Sequence, residues 1–340
     1  MSLDLNVVWY VLVGVLLTGY AILDGFDLGV GALHLFTKTD EERRLAINSI
    51  GPVWDGNEVW LVTGGGALFA AFPHVYATIF SGFYLALVLL LFGLIFRAVA
   101  IEFRSKQPMG WWRQMWDVSF SVSSIVSALL LGVALGNVAW GIPLAPDHEF
   151  AGTFLGLLHP YALLVGFTTV ALFMMHGSIY LTLKTEGALH DKVRSWINNT
   201  IIFFIICYAT TTMATLLYVP HMVAIFKDHP ALFVVALANM LAVANIPREI
   251  YHGRDFNAFL SSCAAMAALM ALFGLGMLPN LVYSNPNPDL SLTIYNAASS
   301  QKTLGIMLVI ALIGVPLVLA YTASIYWVFR GKVKLEAHSY

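Results

Sequence analysis

Long apolar runs separated by short polar breaks make up most of this chain. About nine of them approach the roughly 20 residues that a helix needs to cross a bilayer. They cover residues 7–35, 50–72, 75–103, 115–141, 154–183, 197–220, 230–246, 256–278 and 303–329. The second is the weakest, because Trp54, Asp55, Asn57 and Glu58 occupy its first turns. Without it, hydropathy alone gives about eight spans.

Loop charge separates the two counts. Lys38, Arg43 and Arg44 follow the first run, and Arg104, Lys106 and Arg113 follow the third. Lys184, Lys192 and Arg194 follow the fifth, Arg248 and Arg254 the seventh, and Arg330, Lys332 and Lys334 the last. Residues 141–153 contain no Lys or Arg, and residues 279–301 none before Lys302. Basic loops stay in the cytoplasm. This alternation requires an odd number of crossings, with the N-terminus outside and the C-terminus cytoplasmic, so the second run is kept. Trp111, Trp112, Trp116, Trp196 and Trp327 fall near the predicted interfaces, where indole rings prefer to sit. The expected fold is therefore an all-α polytopic membrane protein of about nine transmembrane helices. The two long Lys/Arg-poor loops divide it into a four-helix bundle over 7–141, a second over 154–278 and a peripheral helix over 303–329.

Composition agrees. Of 340 residues, 59% are hydrophobic and 11% charged, and the mean hydropathy is +0.79. Soluble domains are about a quarter charged. The net charge of −2, with no basic block resembling a phosphate grip, excludes a nucleic-acid partner. Cys207 and Cys263 lie in apolar runs, a buried pattern that forms no disulfide frame or metal motif. The N-terminus carries Asp4 and no basic residue, so it does not read as a cleavable signal.

Candidate chemistry lies in polar residues at membrane depth, which are costly there and tend to mark ion or proton paths. Asp24 and Asp27 are three apart and share a helix face, while Gly25 and Gly29 let another helix come close. The simpler reading of Asp27 is solvation near the inner headgroups. Asp24, about 5 Å deeper, calls for a partner or a function. Asp55 and Glu58 share the start of the next run, where acids suit the helix dipole. That accounts for Glu58 more fully than for Asp55, which lies at the same cytoplasmic level as Asp24. Carboxylates so placed could pass protons inward from the cytoplasm. Gly64, Gly65 and Gly66 permit very close helix contact at mid-membrane, where a larger side chain would hold a neighbour or cofactor away. Arg97 reads most simply as a side chain snorkelling to the headgroups; a pair with an acid of the first two helices is the sharper alternative.

Of the histidines, only His176 lies well inside a span. Bis-histidine haem needs two on facing helices, so His176 reads as a satisfied polar contact, and no cofactor is expected in this chain. No Walker loop, dinucleotide fingerprint, zincin motif or nucleophile elbow occurs. Two classes remain: a proton-handling subunit of a redox complex, and a secondary transporter or proton channel working without a haem partner.

The stretches Asp24-Gly25-Phe26-Asp27-Leu28-Gly29-Val30-Gly31, Arg43-Arg44, Asn48-Ser49-Ile50 and Pro52-Val53-Trp54-Asp55-Gly56-Asn57-Glu58-Val59-Trp60-Leu61 resemble subunit II of the cytochrome bd quinol oxidases. The likeness continues through residues 64–73, 80–84, Phe96-Arg97, 102–106, Met115-Trp116-Asp117, 132–137 and 291–293. It spans nearly the whole chain and is most specific from Asp24 to Ala71; residues 154–278 match mainly in hydropathy. The resemblance implies a quinol:oxygen oxidoreductase of the bacterial cytoplasmic (inner) membrane, electrogenic without pumping. Subunit II would be its haem-free member, pairing as a heterodimer with a subunit I that carries haem b and haem d. A small single-helix accessory subunit belongs to some such complexes, and a structural quinone or lipid is held in this subunit by some relatives. The family's cytoplasmic proton route maps onto Asp55, with Asp24 and Trp60 nearby and Glu58 and Arg97 following.

Overall fold

In a computed structural model, which describes residues 4–335, the chain is built from α-helices with one small sheet. The helices are α1 (Leu5–Leu33), α2 (Asp40–Ile50), α3 (Trp54–Ala71), α4 (Pro73–Gly82), α5 (Tyr84–Phe103) and α6 (Gly110–Trp140). After these come α7 (Pro160–Lys184), α8 (Gly187–Tyr218), α9 (His221–Asp228), α10 (Phe233–Tyr251), α11 (Asp255–Met277) and α12 (Gln301–Val328). Among the described residues eight helices, all but α2, α3, α4 and α9, are long and apolar enough to cross a membrane. Their outward surfaces are apolar, with Val11, Leu91, Phe92, Ile206, Leu237 and Leu312 all exposed, as lipid requires.

Helix ends follow local chemistry. Asp4 caps α1 by accepting from the Asn6 amide at 3.0 Å. Thr39 and Glu42 form a reciprocal capping box on α2, which satisfies amides that the helix leaves unpaired. Pro73 and Pro160 open α4 and α7 at positions where a missing amide costs nothing. The third apolar run, expected as one span over 75–103, is broken at Phe83, whose backbone leaves the helical region. The cause is tertiary. Phe83 is buried edge-on to Phe150 of the loop after α6, and a Cβ on Gly82 would lie 2.7 Å from Phe150.

Two close approaches organise the bundle. At Gly29 and Gly177 the backbones of α1 and α7 touch: a Cβ on Gly29 would lie 1.8 Å from the Phe173 carbonyl oxygen. Gly25 lies against the Phe173 ring, so the Gly25/Gly29 pair admits a helix as its spacing predicts. Along the other side of α1, α3 runs antiparallel. Asn57 meets Leu23 and Asp27, Trp60 lies on Gly19, Gly64 meets Leu17, and Ala71 and Phe72 share a core with Trp9 and Val13. Among the described residues, only Gly64 of the glycine triplet touches another helix; Gly65 and Gly66 have nothing within 4 Å of a would-be Cβ. Among the described residues no helix takes up the close contact that those two permit.

The two Lys/Arg-poor loops fold together at one end. β1 (Asn280–Val282) pairs antiparallel with β2 (Leu292–Thr293), and Ile142 bridges Ser284. Gly141, at φ 92°, ends α6 and turns the chain into this cap. Ser299 donates to the carbonyls of Ala70 and Ala71, filling acceptors that the end of α3 leaves open. At the basic end, α2 is tied down by Tyr180, which donates to the Ser49 carbonyl at 2.8 Å, and by a 2.7 Å pair between Lys192 and Glu42.

Candidate functional site, a buried carboxylate cluster

The Asp-Gly-Phe-Asp segment places Asp24 and Asp27 on one face of α1, where α3 and α5 close over them. Both are fully buried, as is Arg97. Arg97 Nη1 donates to Asp24 Oδ1 at 2.6 Å, and its Nη2 lies 3.5 Å from Glu58 Oε2. Asn57 Nδ2 donates to Asp27 Oδ2 at 2.8 Å, and the Tyr326 hydroxyl of α12 donates to Asn57 Oδ1 at 2.8 Å. Two carboxyl groups thus contact one guanidinium, with Asp27 buried beside them, and Asp24 Oδ2 and Asp27 Oδ1 have no hydrogen-bond partner among the described residues.

Two of the simpler sequence readings are corrected here. Arg97 does not snorkel: Asp24 and Glu58 hold it inside the protein, where a charge without a partner would be prohibitive. Asp27 is not solvated at the headgroups; α3 covers it and supplies Asn57.

A family profile described as cytochrome bd terminal oxidase subunit II matches residues 5–329, almost the whole chain. The chain belongs to that family. It is 37% identical to the cytochrome bd-I ubiquinol oxidase subunit 2 of Escherichia coli strain K12, over 98% of this chain and 96% of that one. It is 34% identical to the cytochrome bd ubiquinol oxidase subunit 2 of Bacillus subtilis strain 168, with 97% of each covered. Its fold matches a chain of the bd oxidase structure from Geobacillus thermodenitrificans with a TM-score of 0.80, at 17% identity and over 96% of this chain and 99% of that one.

In this subunit II, Asp24, Glu58 and Arg97 meet as one cluster, but Asp55 does not join it. Asp55 lies one turn before Glu58 on the outward face of α3, exposed together with Gly56, Val59, Val62 and Gly66. Trp60 sits beside the cluster with its ring on Gly19; a Cβ there would lie 2.4 Å from the indole. Tyr326 went unnoticed in the sequence because it arrives from the far end of the chain, in a run whose other residues read as lipid-facing. The best available signal was a hydroxyl near the basic end of the last span.

His176 is buried with both ring nitrogens engaged. Nδ1 lies 2.7 Å from Ser262 Oγ and Nε2 3.0 Å from the Ile22 carbonyl oxygen, and the ring stacks on Phe259. A ring so occupied does not fit a haem iron. Among the described residues, no group of three or more His, Cys, Asp or Glu side chains is placed to hold a metal ion.

A second buried polar network also escaped the sequence reading. Asp117 of α6 lies 2.6 Å from His34 Nε2 and accepts from Arg43 at 2.8 Å and from Arg104 Nε at 2.5 Å. Arg104 and Arg113 also reach Asp40 of α2, at 2.9 and 3.0 Å. The network sits about 10 Å beyond Asp27 along α1, seven residues at ~1.5 Å each.

Proposed function

We propose that this chain is the haem-free subunit II of a quinol:oxygen oxidoreductase, paired with a haem-bearing subunit I and lending it a route for proton uptake from the cytoplasm. The observation that carries the proposal is the charge balance of the buried cluster. Asp24 and Glu58 contact a single guanidinium, Arg97, and Asp27, bonded to Asn57, is buried one turn from Asp24 with no cation of its own in contact among the described residues. Ionising all three away from water would leave uncompensated charge in the bundle, so the cluster is best served by sharing protons. Arg97 fixes Asp24 as its counter-ion, which leaves Glu58, partly open, and Asp27, held by Asn57, to hold and release a proton. Asp55, exposed one turn from Glu58, is the entry. Trp60 shields the cluster from the apolar face of α3.

The topology that serves this role has nine crossings, α3 being the ninth. Its contacts with α1 run from Asp27 to Trp9, a rise of about 27 Å, close to the hydrocarbon thickness of a bilayer. The basic loops then share the cytoplasmic face, with the N-terminus outside. The helices group as two bundles of four, α1, α3, α5 and α6 against α7, α8, α10 and α11, with α12 peripheral. A carboxylate such as Asp55 is not left in lipid. Together with the uncovered Gly65 and Gly66, it supports the α3 face as the seat of subunit I. A structural quinone or lipid has a fitting seat in a cavity of about 670 Å³ near the outer loops. Trp140, Phe150 and Tyr161 line it, and the buried His159 Nε2 there has no hydrogen-bond partner among the described residues.

The test is Asp55→Asn in the assembled complex, with turnover and oxygen-linked proton uptake measured beside the haem spectra. Slowed uptake with intact spectra supports the route. Unchanged turnover in a normally assembled complex refutes it, and loss of haem makes Asp55 structural.

A further inference from the structure

The Asp117 network encloses more than its own ion pairs. Beside it lies a cavity of about 210 Å³ lined by Asp40, Arg43, Arg104, Arg113, Gln114 and the N-terminal Gly110 of α6. At ~30 Å³ per water, this holds a tetrahedral oxyanion and a few waters. Each carboxylate in the wall is already spent: Asp117 on His34, Arg43 and Arg104, and Asp40 on Arg104 and Arg113. Three guanidiniums against two carboxylates leave one positive charge over.

Donors remain as well. Arg104 is 1% exposed, and its Nη1 has no hydrogen-bond partner among the described residues. The buried Arg43 Nε is in the same position. The N-terminus of the 31-residue α6 carries no side-chain cap, so its first amides and the positive end of its dipole add to the same corner.

We propose that this cavity binds a phosphate group, supplied by the headgroup of an anionic phospholipid. The membrane source follows from its rim. Phe103, Met109, Trp111 and Met115, on the helix ends that frame the cavity, are exposed apolar or aromatic side chains, fit to take acyl chains beside a bound headgroup. Guanidinium forks suit phosphate geometry, and basic pockets between helices at the membrane face are where such headgroups settle. The sequence carries no phosphate motif because the three arginines come from α2, from the end of α5 and from α6.

The experiment uses the whole purified complex, delipidated in detergent and titrated with phosphatidylglycerol, with phosphatidylcholine as the zwitterionic control, or with inorganic phosphate. Binding is read by native mass spectrometry. Wild type should bind one phosphatidylglycerol saturably. Arg113→Gln should weaken it about fivefold, and Asp40→Asn, which removes a competing carboxylate, should tighten it by a similar factor. The same variant pattern with inorganic phosphate but not with lipid would assign the same site to free phosphate. Affinities that move with neither variant would overturn the proposal and leave the arginines as structural ion pairs. Because Asp40→Asn tests a gain, an unstable Arg113 variant does not rescue the idea. The readout is bound mass rather than turnover, so it stands apart from the proposed oxidase role.

Discussion

Replacing Arg97 by Met should do more damage than replacing Arg97 and Asp24 together. The guanidinium and the Asp24 carboxylate are both fully buried and 2.6 Å apart. At an effective dielectric of about 20 their attraction is about 6 kcal/mol, most of it offset by the cost of removing both charges from water. Removing one partner leaves the other's desolvation cost uncompensated, which is worth about 3–5 kcal/mol. Replacing both with apolar groups, as in Arg97→Met with Asp24→Leu, removes the cost along with the attraction and should recover about 3 kcal/mol of that loss. Glu58, 3.5 Å from the same guanidinium, remains to be neutralised, so recovery should be incomplete until Glu58→Gln is added. The assay is thermal stability of the purified complex, followed by the monodisperse fraction after heating, across the double-mutant cycle. A double variant as unstable as the sum of its singles would mean that the two charges do not compensate each other, and the reasoning would fail.

Further outcomes follow from the same contacts. Gly177→Ala, whose Cβ would lie 2.5 Å from the Gly29 carbonyl carbon, should force α1 and α7 apart at a cost of about 1–3 kcal/mol or more, seen as loss of intact complex on size exclusion. Asn57→Ala leaves Asp27 and Tyr326 without their shared partner and should cost about 1–3 kcal/mol in thermal stability, whereas Tyr326→Phe should cost about 1 kcal/mol. Outside the membrane, partial burial nudges the Glu42 carboxyl up, but the Lys192 ammonium and the Lys38 and Thr39 amides outweigh it and hold it below the usual carboxylate range. Its support of α2 is therefore complete above the unfolded value of about 4.3 and fades as pH falls through the lowered folded value. Protection factors of the α2 amides, which correct exchange for its intrinsic slowing at low pH, should fall on acidification, and Glu42→Gln should flatten that response.

Much of this was legible in the sequence because lipid imposes strong rules. Apolar runs of spanning length and the basic loops between them marked the helices. Gly25 and Gly29 announced the close approach that α7 makes, and the acids in the first two runs announced the cluster. What stayed hidden depends on contacts distant in sequence. The break at Phe83 in a continuous apolar run lies where Phe150, distant in sequence, packs on Gly82 and Phe83. Arg97 resembles a snorkelling side chain until Asp24 is seen beside it. Tyr326 and the network of His34, Arg43, Arg104 and Asp117 join helices whose order along the chain carries no hint of their contact. Asp55 shows the opposite limit: it shares the face of Glu58 by spacing, yet it is exposed outside the cluster while Glu58 is partly buried against Arg97.

The most direct test of the oxidase role is an optical reduced-minus-oxidised spectrum of the tagged chain, purified gently with whatever accompanies it, together with quinol-dependent oxygen uptake. The account predicts haem bands from a co-purifying larger subunit and oxygen consumption on adding quinol. A colourless protein, stable on its own and with no such partner, would contradict it and turn attention to transport.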